Sequence, residues 1–562
     1  MNVLSTVEMQ ACDHVTSERY GVTAVDLMRA AAGTVTAFVR SQFPRAWRVT
    51  VLCGRGSNGG DGLLAARMLT DSGLNVTTLL LGSPLGLVGN AADAWRQLTS
   101  GGGGTYFVVE GAEDLEQYRK ALDADLIIDA VLGTGFKPPL KPLVLATLEW
   151  LKDSKAPILA VDLPSGWPAD STEATIPGPV FPADAVITFT APKPAHVFGQ
   201  LTRRWDQPVV IAQIGSPEEA VVGVLNPSSP GLHWSGSAME MVQAPRSAQA
   251  NKGNFGHVLV IGGMFGPGGG RAGAPSMSAL AALRSGAGLV TAAVPATAAA
   301  LVAAIAPELM TWPLAANAAG GISKENLAPE LFSSLMAGKT VLAIGPGMGQ
   351  APETAEFVAA LLAVSTVPAV VDADALNILA SQPQLLARLA AKTQAGRTLV
   401  LTPHPGEMAR LAGISIRDVQ ANRLGVARWF AQRFGVTLVL KGARTLIAHP
   451  DGRVALNTTG NPGMAKGGSG DLLTGLVAGL LAQHPSEPGR AVEAAVYLHG
   501  LAADLAVRCP GGAHDQHTLL ATDSLQQLSR AFRFESRGPN GYVWLQGLPP
   551  ALHAAVTQEA QQ

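Results

Sequence analysis

The chain has almost no cysteine. Cys12, Cys53 and Cys509 are its only three and no two form a CxxC pair, which argues against a disulfide framework or a zinc site and for a reducing compartment. Basic runs are missing as well. The 40 Lys and Arg residues are matched by 42 Asp and Glu, for a formal charge of -2, so the electrostatic footprint that nucleic-acid binding requires is absent and a small-molecule partner fits better. The first twenty residues carry Glu8, Asp13 and Glu18 among scattered apolar positions and lack the basic and apolar regions of a signal peptide, so a cytoplasmic location is expected. Residues 285–307 have no charge but are mostly Ala, Gly and Val, with Pro295 in the middle. They read as a buried strand over 289–294 followed by an alanine-rich helix, and no membrane contact is expected. No solenoid-type repeat is visible.

At 562 residues the chain exceeds the roughly 250–300 residues at which a single core stops growing, so two or more domains are expected. Between 48 and 189 the apolar runs VTVLC, NVTTLLLG, DLIIDAVLG, PILAVDLPSG and DAVITFT alternate with amphipathic segments, the pattern of a parallel sheet flanked by helices. A stretch rich in Pro, Ser and Gly follows over 215–251, and a second α/β series begins: HVLVIGG, GLVTAAV, TVLAIGPG, PAVVDADA, TLVLTPHPGE and VTLVLKGA. Helices are expected at 272–286, 418–434, 471–483 and 490–507. The resulting division is a domain over 1–218, a linker over 219–244, a domain over 245–534 and a tail over 535–562 with no assigned role.

The strand VTVLC runs into GRGSNGGDG, residues 54–62, and then an expected helix over 63–72. Glycines let backbone N–H groups approach an anion, and a helix start adds partial positive charge. The formal GxGxxG match is weak, because NVTTLLLG ends without the acidic residue that would hold a ribose hydroxyl. A plain strand-to-helix turn with Asp61 as its cap explains the motif equally well. Asp129 and Asp162 also end strands, where open α/β sheets bind ligands. With Asn58 and Ser165 they form an oxygen-rich edge suited to a hard cation or a polar ligand.

SNGGDG, Asp129-x-x-x-Gly133-Thr134-Gly135 and Asp162-x-Pro164-Ser165-Gly166 resemble the NAD(P)HX epimerase domain, the YjeF N-terminal domain, over about residues 1–218. The resemblance implies K⁺ held by Asn58, Asp129 and Ser165. It implies substrate contacts from Ser57, Asn58, Gly59, Gly60 and Asp61, from Gly133, Thr134, Gly135, Phe136, Lys137, Pro138 and Pro139, and from Asp162. Ser57 replaces an Asn common in the family. Loss of the hydrate hydroxyl leaves a cation stabilised by the ring nitrogen, and water returning to either face inverts the centre. A carboxyl group that shuttles the proton is what this step needs, and Asp162 is the candidate.

In the second half, NTTGNPGMAKGGSGDLLTGLVAGLL (457–481) is a glycine loop running into an apolar helix. It is no Walker loop, since no Lys-Ser or Lys-Thr follows the glycines at the required spacing. Gly467, Gly468 and Gly470 offer N–H groups to a transferring phosphoryl, with Asp471 beside them to take a proton. An Asp capping a helix is the alternative. GPGMG (345–349), TPHPGE (402–407) and KGART (441–445) supply further strand ends.

Together with Lys252-Gly253, Gly273-Ala274-Pro275 and VDADALN, these segments resemble the NAD(P)H-hydrate dehydratase branch of the ribokinase-like fold over about residues 245–530. The implied architecture is a Rossmann-like three-layer α/β domain followed by a ribokinase-like α/β domain. The implied substrate contacts are Ala274, Gly347, His404 and Asp471; the nucleotide contacts are Lys441, Gly442, Ala443, Arg444, Thr445 and Gly470. The implied reaction phosphorylates the hydrate hydroxyl and eliminates phosphate, with Asp471 as base, Mg²⁺ on the phosphates and ADP as co-substrate, leaving AMP and phosphate. Lys466 and Ser276 replace residues usual in relatives. The expected partners are NADHX, NADPHX and ADP, with a homo-oligomer as the assembly. The main rival is a small-molecule kinase of the same fold joined to a non-catalytic ligand-binding domain; a nicotinamide-dependent oxidoreductase is weaker, for want of the ribose-binding acid.

Overall fold

The computed structural model describes residues 1–549 apart from 101, 103, 227–230, 268, 395, 509–513 and 539. The chain divides into two compact units, one of Met1–Pro227 with Glu535–Gln562 and one of Ser228–Phe534.

Strand Arg48–Cys53 shows how the first unit is layered. Val49, Val51 and Cys53 join a buried cluster with helices Ala24–Gln42 and Ser57–Asp71, while Leu52 points the other way, into a cluster with helix Pro142–Leu151. Side chains alternate across a strand, so a run apolar at every position is covered by helices on both faces. The sheet order is Val543–Gln546, Val209–Ala212, Ala185–Phe189, Ile158–Val161, Leu126–Ala130, Arg48–Cys53, Asn75–Leu81 and Thr105–Val109. All neighbours are parallel except the first pair. From Arg48–Cys53 the chain fills the sheet in one direction and then, from Leu126–Ala130, in the other. This switch point opens a crevice at the carboxyl ends of the two strands, where Leu52 is in register with Asp129.

In the second unit the order is Leu232–Trp234, Val454–Leu456, Leu446–Ala448, Thr437–Leu440, Leu399–Leu401, Ala369–Val371, Val341–Ile344, His257–Ile261, Leu289–Pro295 and Met310–Leu314. From Thr437–Leu440 onward the strands are parallel. Helix Ser469–Gln483 lies against helix Gly273–Arg284. A Cβ at Gly475 would sit 2.0 Å from the Ser278 carbonyl oxygen, so glycine is what permits this approach. The uncharged stretch is a strand, Leu289–Pro295, and a helix, Ala296–Ala303, as expected. No single helix among the described residues is long and apolar enough to cross a membrane.

The structure corrects several boundaries. The expected linker is not one: Glu218–Gly223 is a helix of the first unit, whereas Leu232–Trp234 is an edge strand of the second, in register with Val454–Leu456. The tail supplies Val543–Gln546 to the first sheet; Tyr542 donates its hydroxyl to the Thr34 carbonyl at 2.8 Å and packs edge-on against Phe38. Apolar residues alternating over only a few positions give little signal against the surrounding Pro and Gly. The helix expected over 418–434 is two, Ile416–Ala421 and Arg423–Phe434, because Asn422 accepts the Gly425 N–H and so caps the second.

Candidate active sites

The crevice of the first unit widens into a cavity of ≈ 1370 Å³. Ser57, Asn58, Asp61, Gly133, Thr134, Gly135, Phe136, Lys137, Pro139 and Asp162, all named by the resemblance as substrate contacts, line it. Gly59 and Gly60 stand behind its wall: a Cβ at Gly59 would meet the Gly54 carbonyl oxygen at 1.8 Å and one at Gly60 the Met28 side chain at 2.6 Å. Pro138 is not among the lining residues. The helix begins at Ser57 rather than at 63, with Gly56 as an N-cap that makes no side-chain hydrogen bond. Asp61 is therefore inside the helix and is no cap.

Asp162 has φ 64°, a left-handed backbone that costs a non-glycine residue energy and is held by its surroundings. Its amide donates to Ile187 O at 2.7 Å. Oδ2 accepts from the amide and hydroxyl of Thr134 at 2.7 and 2.5 Å; Oδ1 accepts from Thr188 Oγ1 at 2.9 Å and Lys193 Nζ at 3.0 Å. His196 Nδ1 accepts the Lys193 N–H, so Nε2 carries the proton and donates to Asp162 O at 2.7 Å. Burial alone would raise the Asp162 carboxyl, but Lys193, His196 and Thr134 together hold it well below the ordinary range. Asp61 is the opposite case: burial, then the charges of Asp162 and Asp13, push it well above the ordinary carboxylate range. Asp13, also in the cavity wall, is raised by burial to about 6. The expected proton-shuttle role of Asp162 therefore meets an obstacle, since both its oxygens are filled with donors and it stays ionised. Asp61 is the carboxyl of this cavity that burial and neighbouring charge shift toward its protonated form.

Behind the cavity, Asp129 is fully buried. It accepts from Ser165 N and Oγ at 2.8 and 2.6 Å and from Val131 N at 3.2 Å, yet burial still raises it to about 6. The side-chain amide of Asn58 is buried, with neither its oxygen nor its nitrogen hydrogen-bonded among the described residues.

The second site gathers at the carboxyl ends of the parallel strands. Lys441, which follows Thr437–Leu440, places Nζ 2.8 Å from Asp372 Oδ1 and 3.8 Å from Glu407 Oε2; Thr474 Oγ1 donates to Asp372 Oδ2 at 2.7 Å. Gly470 lies against this pair, its Cβ position 3.5 Å from Lys441 Nζ. Asp471 is raised to about 6 by burial and by Asp372, against the pull of Lys441. Helix Ser469–Gln483 has no side-chain cap hydrogen bond, so Asp471 does not cap it. Gly347 at φ 64° has its Cβ position 3.1 Å from Ala274 Cβ, which puts these two expected substrate contacts side by side. His404 caps helix Pro405–Ala412: Nδ1 accepts from Gly406 N at 3.0 Å, while its own amide donates to Glu407 Oε2 at 2.8 Å. The loop Lys441–Thr445 is shaped by Arg423, which donates to Ala443 O at 2.6 Å and Leu440 O at 3.2 Å. Within it, Thr445 Oγ1 donates to Gly442 O, and Arg444 donates to Thr458 O. Lys466 donates to His517 O at 2.5 Å.

Sequence reading missed Lys193, Asp13, Asp372, Glu407 and Arg423. Asp372 stands inside VDADALN directly after the strand Ala369–Val371, which is a usable signal. Lys193 follows a strand between two prolines, and nothing local marks its pairing with a residue 31 positions away.

A family model described as NAD(P)H-hydrate dehydratase matches residues 258–525, and one described as YjeF-related protein N-terminus matches residues 24–195. The chain is similar to the bifunctional NAD(P)H-hydrate repair enzyme Nnr of Moorella thermoacetica, 39% identical over 95% of this chain and 97% of that one. The enzyme of the same name from Salinibacter ruber is 34% identical, over 94% and 95%. A solved structure, the ADP/ATP-dependent NAD(P)H-hydrate dehydratase of Bacillus subtilis co-crystallised with ATP/Mg²⁺, is 32% identical, covering 55% of this chain and 99% of that one with a TM-score of 0.43. Whole-length similarity of this kind does not favour a kinase joined to a non-catalytic module. The chain belongs to the family of bifunctional NAD(P)H-hydrate repair enzymes.

Proposed function

We propose that the first unit interconverts the R and S forms of NAD(P)HX and that the second converts the S form to NAD(P)H while ADP becomes AMP and phosphate. The observation that carries the first half is the opposed pair of carboxyls in one cavity, Asp61 raised and Asp162 lowered. Two titrating groups pushed apart are what acid catalysis next to a developing cation requires. Asp61 donates its proton to the departing hydroxyl, and ionised Asp162 faces the positive ring that results. Lys193 and Thr134 position Asp162. The cavity of ≈ 1370 Å³ exceeds the ~300–1,000 Å³ usual for small ligands, as a dinucleotide demands. The opening turn at Ser57 presents N–H groups to a phosphate.

K⁺ fits the expected residues by their chemistry: Asp129, Ser165 and Asn58 are hard oxygen donors, and the buried Asn58 amide oxygen has no partner among the described residues. When bound, the ion supplies positive charge that offsets the buried Asp129 carboxylate.

In the second unit, Asp471 takes the proton of the substrate hydroxyl as the phosphoryl transfers. A base held at about 6 is ionised at neutral pH and close enough to it to work. Lys441, fixed by Asp372, presents its charge at the glycine loop, whose N–H groups meet the transferring phosphoryl. Ring-nitrogen electrons then expel phosphate. Glu407, a buried carboxylate with His404 Nε2 at 3.4 Å and Lys441 Nζ at 3.8 Å, is suited to Mg²⁺, which when bound would neutralise phosphate charge. Cytoplasmic residence and a homo-oligomeric assembly belong to the same reading.

The test incubates the purified full chain with racemic NADH hydrate, Mg²⁺ and either ADP or ATP and follows NADH absorbance. Complete recovery of both epimers with ADP is expected. Recovery that stops at the S half removes the epimerase assignment, and accumulation of a stable phosphorylated product removes the dehydratase.

A further inference from the structure

Away from the catalytic strand ends, the second unit brings together three residues that lie far apart in the chain. His233 belongs to the edge strand Leu232–Trp234, His449 begins the turn between Leu446–Ala448 and Val454–Leu456, and Glu493 sits on helix Pro488–Arg508. His233 Nε2 is 2.8 Å and His449 Nε2 2.9 Å from the same oxygen, Glu493 Oε1. The two rings stack, centroids 6.2 Å apart and 19° from coplanar. Their side chains are 14% and 5% exposed, and that of Glu493 is 6% exposed.

From this convergence we infer that His233, His449 and Glu493 bind a divalent transition-metal ion of the Zn²⁺ type, as a structural site distinct from both catalytic centres. Two imidazoles and one carboxylate are a borderline donor set that favours late first-row ions over Mg²⁺ or Ca²⁺. The ligand atoms all lie within 4.8 Å of one another. Donors about 2.0–2.2 Å from a common ion stand no more than about 4.4 Å apart, so the three are within about 0.4 Å of the spacing that a shared ion requires. A water completes the coordination.

Two further observations support the assignment. The ion pairs of Glu493 among the described residues are with these two histidines and with no Lys or Arg, and a buried carboxylate is ordinarily paired with a fixed cation or coordinates a metal. The space is also kept open: a Cβ at Gly489, one helical turn before Glu493, would meet His449 Cε1 at 3.2 Å and Nδ1 at 3.3 Å. The bound ion ties the edge strand and the turn to the helix, doing with one coordination sphere what no local motif specifies.

The experiment takes the full chain, stripped with a chelator and dialysed, and titrates it with Zn²⁺ or Co²⁺ alone, without nucleotide. Calorimetry should give one ion per chain that Mg²⁺ does not displace, Co²⁺ should produce visible ligand-field bands, and Zn²⁺ should raise Tm. In His449→Gln the bands and the Tm rise should be lost. Should that variant not fold, His233→Gln alters the most exposed ligand, and the wild-type Co²⁺ spectrum is decisive in itself. Absence of the bands in wild type, or equal metal content in wild type and variants, overturns the proposal.

Discussion

Lys193 and Asp162 form a buried ion pair, Nζ to Oδ1 at 3.0 Å, that joins two successive strand ends of the first unit. Removing one partner of such a pair strands the other charge, at a typical cost of about 3–5 kcal/mol. Lys193→Met should therefore destabilise the first unit by that order in a denaturant titration. It should also slow epimer interconversion far more than dehydration of the S form. Equal loss of both activities would make Lys193 a general folding residue instead.

The pH dependence of interconversion should come from Asp61. Its carboxyl is raised by burial and then by Asp162 and Asp13, so the protonated form persists to higher pH than an ordinary carboxyl allows and the rate falls as pH rises through the folded value. Stability carries the same sign: the contribution of Asp61 is complete below its unfolded value and is lost on the alkaline side. Asp13→Asn removes one of the charges that raise Asp61, so the alkaline limb should move to lower pH while interconversion persists. A limb that stays in place, or moves up, in the pH–rate profile assigns the proton to another group.

Particular residues show how far the sequence is legible. Asp129 and Asp162 could be placed at one edge because each ends an apolar run, and strand ends in a parallel sheet share an edge whatever the loops do. Asp471 was visible because a glycine loop runs directly into an apolar helix. Lys193, Asp372 as the partner of Lys441, and the His233–His449–Glu493 cluster were not, since each depends on which strands become neighbours. The separation of Asp61 from Asp162 in proton affinity was out of reach for the same reason: it arises from burial and from Lys193, not from residue type. The strand Val543–Gln546 was missed because its partner, Val209–Ala212, lies over three hundred positions earlier.

Arg423 holds the loop Lys441–Thr445 through the carbonyls of Leu440, Lys441 and Ala443. It bonds backbone carbonyls of the loop and takes no part in the proposed proton transfer, so Arg423→Ala should weaken nucleotide binding and raise KM for ADP with a smaller change in kcat. Isothermal titration of the nucleotide beside steady-state kinetics separates the two. A fall in kcat at unchanged affinity would sink this role.

Potassium should matter to one activity only. Exchange of K⁺ for a bulky organic cation should slow interconversion and leave dehydration of the S form unchanged, and Asn58→Ala should reduce the K⁺ response. Identical rates in both media would remove K⁺ from the first site.

Asp471 and Lys441 share one site but should fail in different ways. Asp471 is held at about 6 by burial and by Asp372, so it becomes a competent base only as pH rises, and dehydration should show an acid limb near that value. Asp471→Asn deletes the base, and a general base typically contributes ~10² to 10⁴-fold, so turnover should fall by that order and lose the limb. Because the fold disfavours the ionised form of Asp471, its stability contribution is lost as pH rises from the unfolded value through about 6. The Asn variant should accordingly be no less stable at pH 7, and should bind nucleotide at least as well, one negative charge having gone. Lys441→Ala leaves Asp372 buried without its cation, so both stability and nucleotide affinity should drop. Calorimetric titration, thermal unfolding and recovery of NADH absorbance on the two variants distinguish these patterns. Near wild-type turnover in Asp471→Asn, or loss of nucleotide binding as complete as the loss of turnover, would mean that Asp471 serves the architecture of the glycine loop and that the proton leaves by another route.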